Sequence, residues 1–147
     1  MPAATDNITG RFMKYLWRHA GILLALWFVA VLVLSVIPGP ASLDLFGLEN
    51  IRLRLDYIYH IAAFFTGAAL ALLKLYIHSG PRPPFYKIIL TIAGITLFSV
   101  FHEYIQLIIP YRSFNINDII ANLFGVFSGS AIIILIMIKP NMTIGND

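Results

Sequence analysis

Asp56 and His60 stand four residues apart in a stretch that reads as helix, so a carboxylate and an imidazole share one face a single turn apart. Further along, Glu103 and Gln106 are three residues apart, with His102 beside them and Ser99 one turn before. A third stripe follows at helical spacing in Asp118, Asn122, Gly125 and Gly129. Acids and imidazoles so placed are the residue types of proton transfer, and amides add neutral hydrogen bonds. Arg112, between the second and third stripes, offers a planar fork of donors suited to phosphate or carboxylate. The candidate catalytic residues are Glu103, His60 and Asp118, and the candidate ligand-binding set is Asp56, His60, Glu103, Gln106, Arg112, Asp118 and Asn122.

Each of these residues also has a structural account. Asp56 suits a helix N-terminus and can simply hold the imidazole of His60. Asp118 follows Asn115 and Asn117, where capping and the helix dipole alone favour an acid. Glu103 can bridge to Arg112 or bond Asn122, and Arg112 can neutralise Glu103 or Asp118 or touch bulk headgroups. Gly125 and Gly129 form a small-xxx-small pair, which reads as a close-packing face more than as a substrate contact. No metal is expected: there is no H-E-x-x-H, no cysteine set and no second histidine at ligand spacing on the same helix, and His102 directly precedes Glu103, so the two diverge around it. No cofactor is expected either.

The elements that must position these residues are membrane helices. With 59% apolar and only 12% charged residues in 147, the chain is too apolar for a soluble globule. Four spans are expected at about 21–37, 56–77, 86–109 and 117–138, with Pro38, Pro81, Pro110 and Pro140 at their exits. The fold class is an all-α membrane protein, a four-transmembrane-helix bundle. Its organisation is a basic N-terminal segment 1–20, one four-helix membrane domain 21–138 and a tail 139–147. The basic start, the apolar run and the small residues near Ala41 also resemble a secretory signal, but the run is long for a signal core and is read as a span.

Basic residues orient the bundle. Arg11, Lys14, Arg18, Lys74, Arg82, Lys87 and Lys139 fall on one side, against Arg52, Arg54 and Arg112 on the other. By the positive-inside rule the first side is cytoplasmic, which puts both termini there in a multi-pass membrane protein. The net charge of +3 then needs no nucleic-acid partner, since orientation and attraction to anionic lipid account for it. With no cysteine, disulfides and thiolate chemistry are excluded.

Apart from Asp6 and Asp147, every acid (Asp44, Glu49, Asp56, Glu103, Asp118) belongs to the outer side, whereas the cytoplasmic halves carry Thr66, Thr91 and a few other small polar groups but no acid. The short connection after Pro110 makes the third and fourth helices antiparallel neighbours. Counting outward from its middle puts Gln106 and Asn122 at similar depth, with Glu103 about one turn deeper. Segment 43–55, apolar residues mixed with Asp44, Glu49, Arg52 and Arg54, reads either as an amphipathic cover over this region or as a short extended piece.

The string from Asp56 through His60 to Phe64 resembles the first motif of VanZ-like membrane proteins. More specific is Glu103-x2-Gln106-x3-Pro110-x-Arg112 followed by Asp118-x3-Asn122-x2-Gly125-x3-Gly129, and the resemblance covers about residues 36–138. Family members often carry lysine directly after the first aspartate, where this chain has Tyr57, so Arg52 or Arg54 would have to hold any anion that the lysine holds. The founding member is associated with low-level resistance to the glycopeptide teicoplanin, a phenotype and not a mechanism.

The function expected is recognition of an envelope lipid or lipid-linked glycan headgroup in an outer-leaflet pocket, with a link to teicoplanin susceptibility implied by the resemblance. Three alternatives stay open. One is an enzyme acting on that headgroup, with Glu103 or Asp118 as general base and His60 as second proton carrier. The others are a proton-coupled transporter, for which a four-helix chain would need to form a homo-oligomer, and a purely structural membrane module. The expected partner is a membrane lipid or lipid-linked envelope precursor.

Because the chain has no native cysteine, topology can be read from single introduced ones. In intact cells, Ser42→Cys should react with a membrane-impermeant maleimide while Asn141→Cys reacts only after permeabilisation; the reverse pattern would invert the orientation.

Overall fold

In a computed structural model, residues 8–36, 55–80, 82–110 and 114–138 are described, with side chains at 15, 18–36 and 57 onward within those stretches. They form α1 (Ile8–Val36), α2 (Leu55–Ser79), α3 (Phe85–Ile105) with a 3-10 turn at Gln106–Ile108, and α4 (Ile116–Ile138). No strand occurs among the described residues. Four helices are long and apolar enough to cross a membrane, over Arg18–Val36, Tyr57–Ser79, Phe85–Ile108 and Ile116–Ile138. Their outward faces carry Leu26, Leu97, Phe124 and Leu135, each more than half exposed, as suits a surface solvated by acyl chains.

Two boundaries differ from the hydropathy reading. α1 begins at Ile8, more than three turns before the apolar span, because no proline lies between there and Gly21 and Gly10 is tolerated in the first turn. The change at residue 20 marks the expected edge of hydrocarbon and not the start of an element. α3 leaves α-geometry at Ile105 instead of running to 109. Pro110 disfavours helical dihedrals in the residue before it, and Ile109 is extended at φ −98, ψ 118. α2 ends where Gly80 takes φ 83, a left-handed conformation that glycine adopts without steric penalty.

Neighbouring helices in sequence touch, but the most extensive packing joins α2 to α4. Gly125 and Gly129 explain this: a Cβ on Gly125 would meet the Ile61 carbonyl oxygen, and one on Gly129 would lie 2.5 Å from the Phe65 carbonyl oxygen. The two backbones therefore run in contact, the close approach that small residues permit within membranes. α1 is tied to α2 by the Trp27 indole N–H, which donates to the Ala63 carbonyl at 2.8 Å, and Gly67 leaves the space the indole fills. Trp27, Val31, Phe64, Ala68 and Val126 form the buried apolar core, with Phe98 of α3 packed against it.

Gly125→Leu should destabilise the bundle, by about 1–3 kcal/mol from overpacking alone and more if the backbones are forced apart. Thermal unfolding in mild detergent reads this directly, with Gly94→Leu, which meets open space, expected near wild type.

Candidate functional site

The α2–α4 contact brings the start of α2 and the start of α4 together, and the end of α3 completes the same end of the bundle. The buried polar side chains gathered there are Ser99, His102, Glu103 and Gln106 from α3 and its 3-10 turn, and Asp118 and Asn122 from α4. Their spacing on α3, at i, i+3, i+4 and i+7, is that of one inward helical face.

Asn122, fully buried, joins three helices. Its Oδ1 lies 2.8 Å from Nδ1 of His60 on α2, and its Nδ2 donates to the Ser99 carbonyl on α3 at 3.4 Å. The second bond fixes which end of the amide carries oxygen, and an amide oxygen can only accept. His60 therefore donates from Nδ1, and its Nε2 lies toward Asp118, whose Oδ2 is 3.9 Å away.

Asn115 caps α4: its Oδ1 accepts from the Asn117 backbone N–H at 3.1 Å and its Nδ2 donates to Asp118 Oδ1 at 3.0 Å. The cap holds Asp118 in place and leaves its other oxygen toward His60. Glu103, fully buried, accepts from Gln106 Nε2 and from the Asn115 backbone N–H, both at 3.4 Å. One ligand-capable atom from each of His60, His102 and Glu103 lies within 4.8 Å of the others. The His60 and His102 rings meet edge-on, centroids 5.9 Å apart, and Phe64 and Phe98 floor the site against His102 at 5.5 and 6.5 Å.

Of the residues singled out from sequence, His60, Glu103, Gln106, Asp118 and Asn122 are brought together. Asp56 lies in the first turn of α2, but its side chain is outside the described set, as are Arg112 and segment 43–54 with Arg52 and Arg54. Asn122 sits deeper than counting from the connection suggests, since it reaches Ser99, seven residues before Gln106. The 3-10 turn rises about 2.0 Å per residue, which carries Gln106 outward relative to a continued α-helix. Asn122 bonds His60 and Ser99 where a bond to Glu103 was one expectation.

Two contributors have no place in the sequence-derived set. His102 does diverge from Glu103 around the helix, yet both are buried, because α3 faces α2 on one flank and α4 on the other. Asn115 lies before α4, where its reach is visible only once the chain turns. Thr66 and Thr91 return their hydroxyls to carbonyls four residues back, Ala62 and Lys87, and join no network.

A family model described as VanZ/LLP1 matches residues 16–137. No curated protein and no solved structure matches the chain.

Removing the amide that joins three helices strands the His60 N–H, while the Ser99 carbonyl keeps its place in the α3 backbone ladder. Asn122→Ala should cost about 2–3 kcal/mol, the range for orphaned buried groups. Denaturation should also show Ser128→Ala, whose hydroxyl bonds only its own helix, to be nearly neutral.

Proposed function

From the premise that this chain belongs to the VanZ/LLP1 family and is a multi-pass membrane protein, we propose that it binds the polar or anionic headgroup of an envelope lipid or lipid-linked glycan at the polar end of its bundle. The observation that carries this reading is the convergence of buried Glu103, Gln106, Asp118 and Asn122 with the partly buried His60, from three helices, at one end of a largely apolar molecule. Intramembrane ionisable groups are costly and mark functional sites by default.

The surroundings favour a lipid over a soluble metabolite. Tyr104, Leu107, Ile108, Ile116 and Ile120 surround the polar end and are all more than half exposed, so a ligand there has an acyl or isoprenoid tail's natural environment beside it. Arg112, with Arg52 or Arg54, supplies the positive charge for an anionic head. In this reading the site faces the outer leaflet of the bacterial cytoplasmic membrane, with both termini inside. Holding a cell-wall precursor lipid would alter its availability to glycopeptides, which gives a physical route to an effect on teicoplanin susceptibility.

A second reading has support in the His60 geometry. An imidazole with one nitrogen fixed by Asn122 and the other turned to Asp118 is arranged as a proton carrier, and Glu103 stands close by as a base. Turnover of a lipid headgroup, abolished in folded Glu103→Gln, would separate enzyme from binder.

Native mass spectrometry from mild detergent tests the first reading. The wild type should retain a selective anionic lipid that the double variant Arg112→Ala, Glu103→Gln loses while staying folded. An identical, unselective lipid complement in both proteins would reduce the cluster to a helix-locking network.

A further inference from the structure

We propose that His60, His102 and Glu103 form a binding site for one divalent transition-metal ion of the zinc class. The three come from two helices, are buried or nearly so, and present donor atoms within 4.8 Å of one another. If the separations are at that limit, the centre of the triangle is about 2.8 Å from each donor, and zinc-to-nitrogen and zinc-to-oxygen bonds are about 2.1 Å, so each donor moves inward by roughly 0.7 Å. Small rotations of two rings and one carboxylate supply that.

The surroundings match what a ligating imidazole needs. A histidine that ligates through one nitrogen donates its other N–H to an oxygen acceptor, which fixes tautomer and orientation. For His60 that acceptor is Asn122 Oδ1, 2.8 Å from Nδ1, on an amide whose Nδ2 donates to the Ser99 carbonyl, so Nε2 is the nitrogen that would ligate. Asp118 Oδ2, 3.9 Å from that nitrogen, is a neighbouring carboxylate outside the set of three donors. Glu103 accepts from Gln106 and Asn115, both at 3.4 Å, and its carboxylate is one of the three groups whose donor atoms converge.

Donor chemistry selects the ion. Two imidazoles and a carboxylate suit zinc, iron, cobalt or nickel, whereas magnesium and calcium prefer all-oxygen sets. Three protein donors leave a position open, as in catalytic and not structural zinc sites. An anionic oxygen is the ligand that position takes. The metal site does not rest on the lipid reading: it follows from donor geometry alone.

The test is calorimetric titration of chelator-stripped full-length protein in mild detergent with zinc chloride, repeated with cobalt(II) chloride by visible absorption. The expected result is one ion per chain, undisturbed by excess magnesium, with the cobalt spectrum of a four-coordinate nitrogen and oxygen site. His102→Ala and Glu103→Ala should weaken binding by at least tenfold, and Asn122→Ala by about 10–100-fold through misorientation of His60. His78→Ala, a histidine at the far end of α2, should bind as the wild type does. His102→Gln keeps a polar side chain of similar size, so a folded variant is at hand if alanine is not tolerated. Folded wild type taking up no stoichiometric ion, or folded His102→Gln binding as tightly as wild type, would overturn the site. Retained zinc with unselective lipid would sink the lipid reading and leave the metal site standing.

Discussion

The close backbone contact between α2 and α4 sets the rest of the structure. With Gly125 and Gly129 against Ile61 and Phe65, no side chain separates the two helices, and their rotation and axial register are fixed together. That register places His60, one residue before Ile61, at 2.8 Å from Asn122, three residues before Gly125. A larger residue at either glycine would force the helices apart, and the His60 to Asn122 bond would lengthen beyond hydrogen-bond distance before any apolar contact was lost. The polar site is in this sense a consequence of two missing side chains.

Packing in a membrane gains nothing from moving an apolar side chain from lipid into protein, so contact, hydrogen bonding and shape must hold the helices. The bundle divides these roles along its length. Beneath the polar end, Trp27 reaches α2 with a hydrogen bond to Ala63 and stacks edge-on with Phe64 and Phe98, giving α1, α2 and α3 a shared rigid layer. Phe64 and Phe98 also form the underside of His102. The aromatic layer thus gives the imidazoles a firm apolar floor in which water is excluded and electrostatic interactions are strong.

How much of this is legible from sequence depends on the range of the interaction. The helices, their apolar exteriors and the shared faces of Glu103 with Gln106 and Asp118 with Asn122 follow from spacing within one helix, and the small-xxx-small stripe identifies the packing face. What spacing cannot give is which helix the stripe meets. Chain proximity favours α3, whereas the glycines select α2, and the consequence is the His60 to Asn122 bond across 62 residues. His102 is visible beside Glu103 in the sequence, but its membership of the site is not, for a related reason. A helical wheel separates it from Glu103 by about 100°, and the i, i+3, i+4, i+7 face that holds both is broad enough to meet α2 and α4 together. Asn115 lies outside any helix, so periodicity carries no information about its reach to Glu103.

Whether such a polar layer is there to hold helices together is a question of what else could do so. Burying carboxylates in a low-dielectric interior is expensive, and ionic groups replaced by well-packed apolar residues often leave a protein equally or more stable. This bundle already has a locking device of the cheaper kind, in the glycine contact and the Trp27 layer, and both involve α2. A further lock between the same helices does not need two acids and two histidines at one end. Nor does it need His60 turned so that one nitrogen is spent on Asn122 and the other is directed at Asp118. Placing the ionisable groups together, orienting them through neutral amides and flooring them with aromatic rings is the arrangement that chemistry or ligand capture requires, and it is the part of the fold that packing alone does not account for.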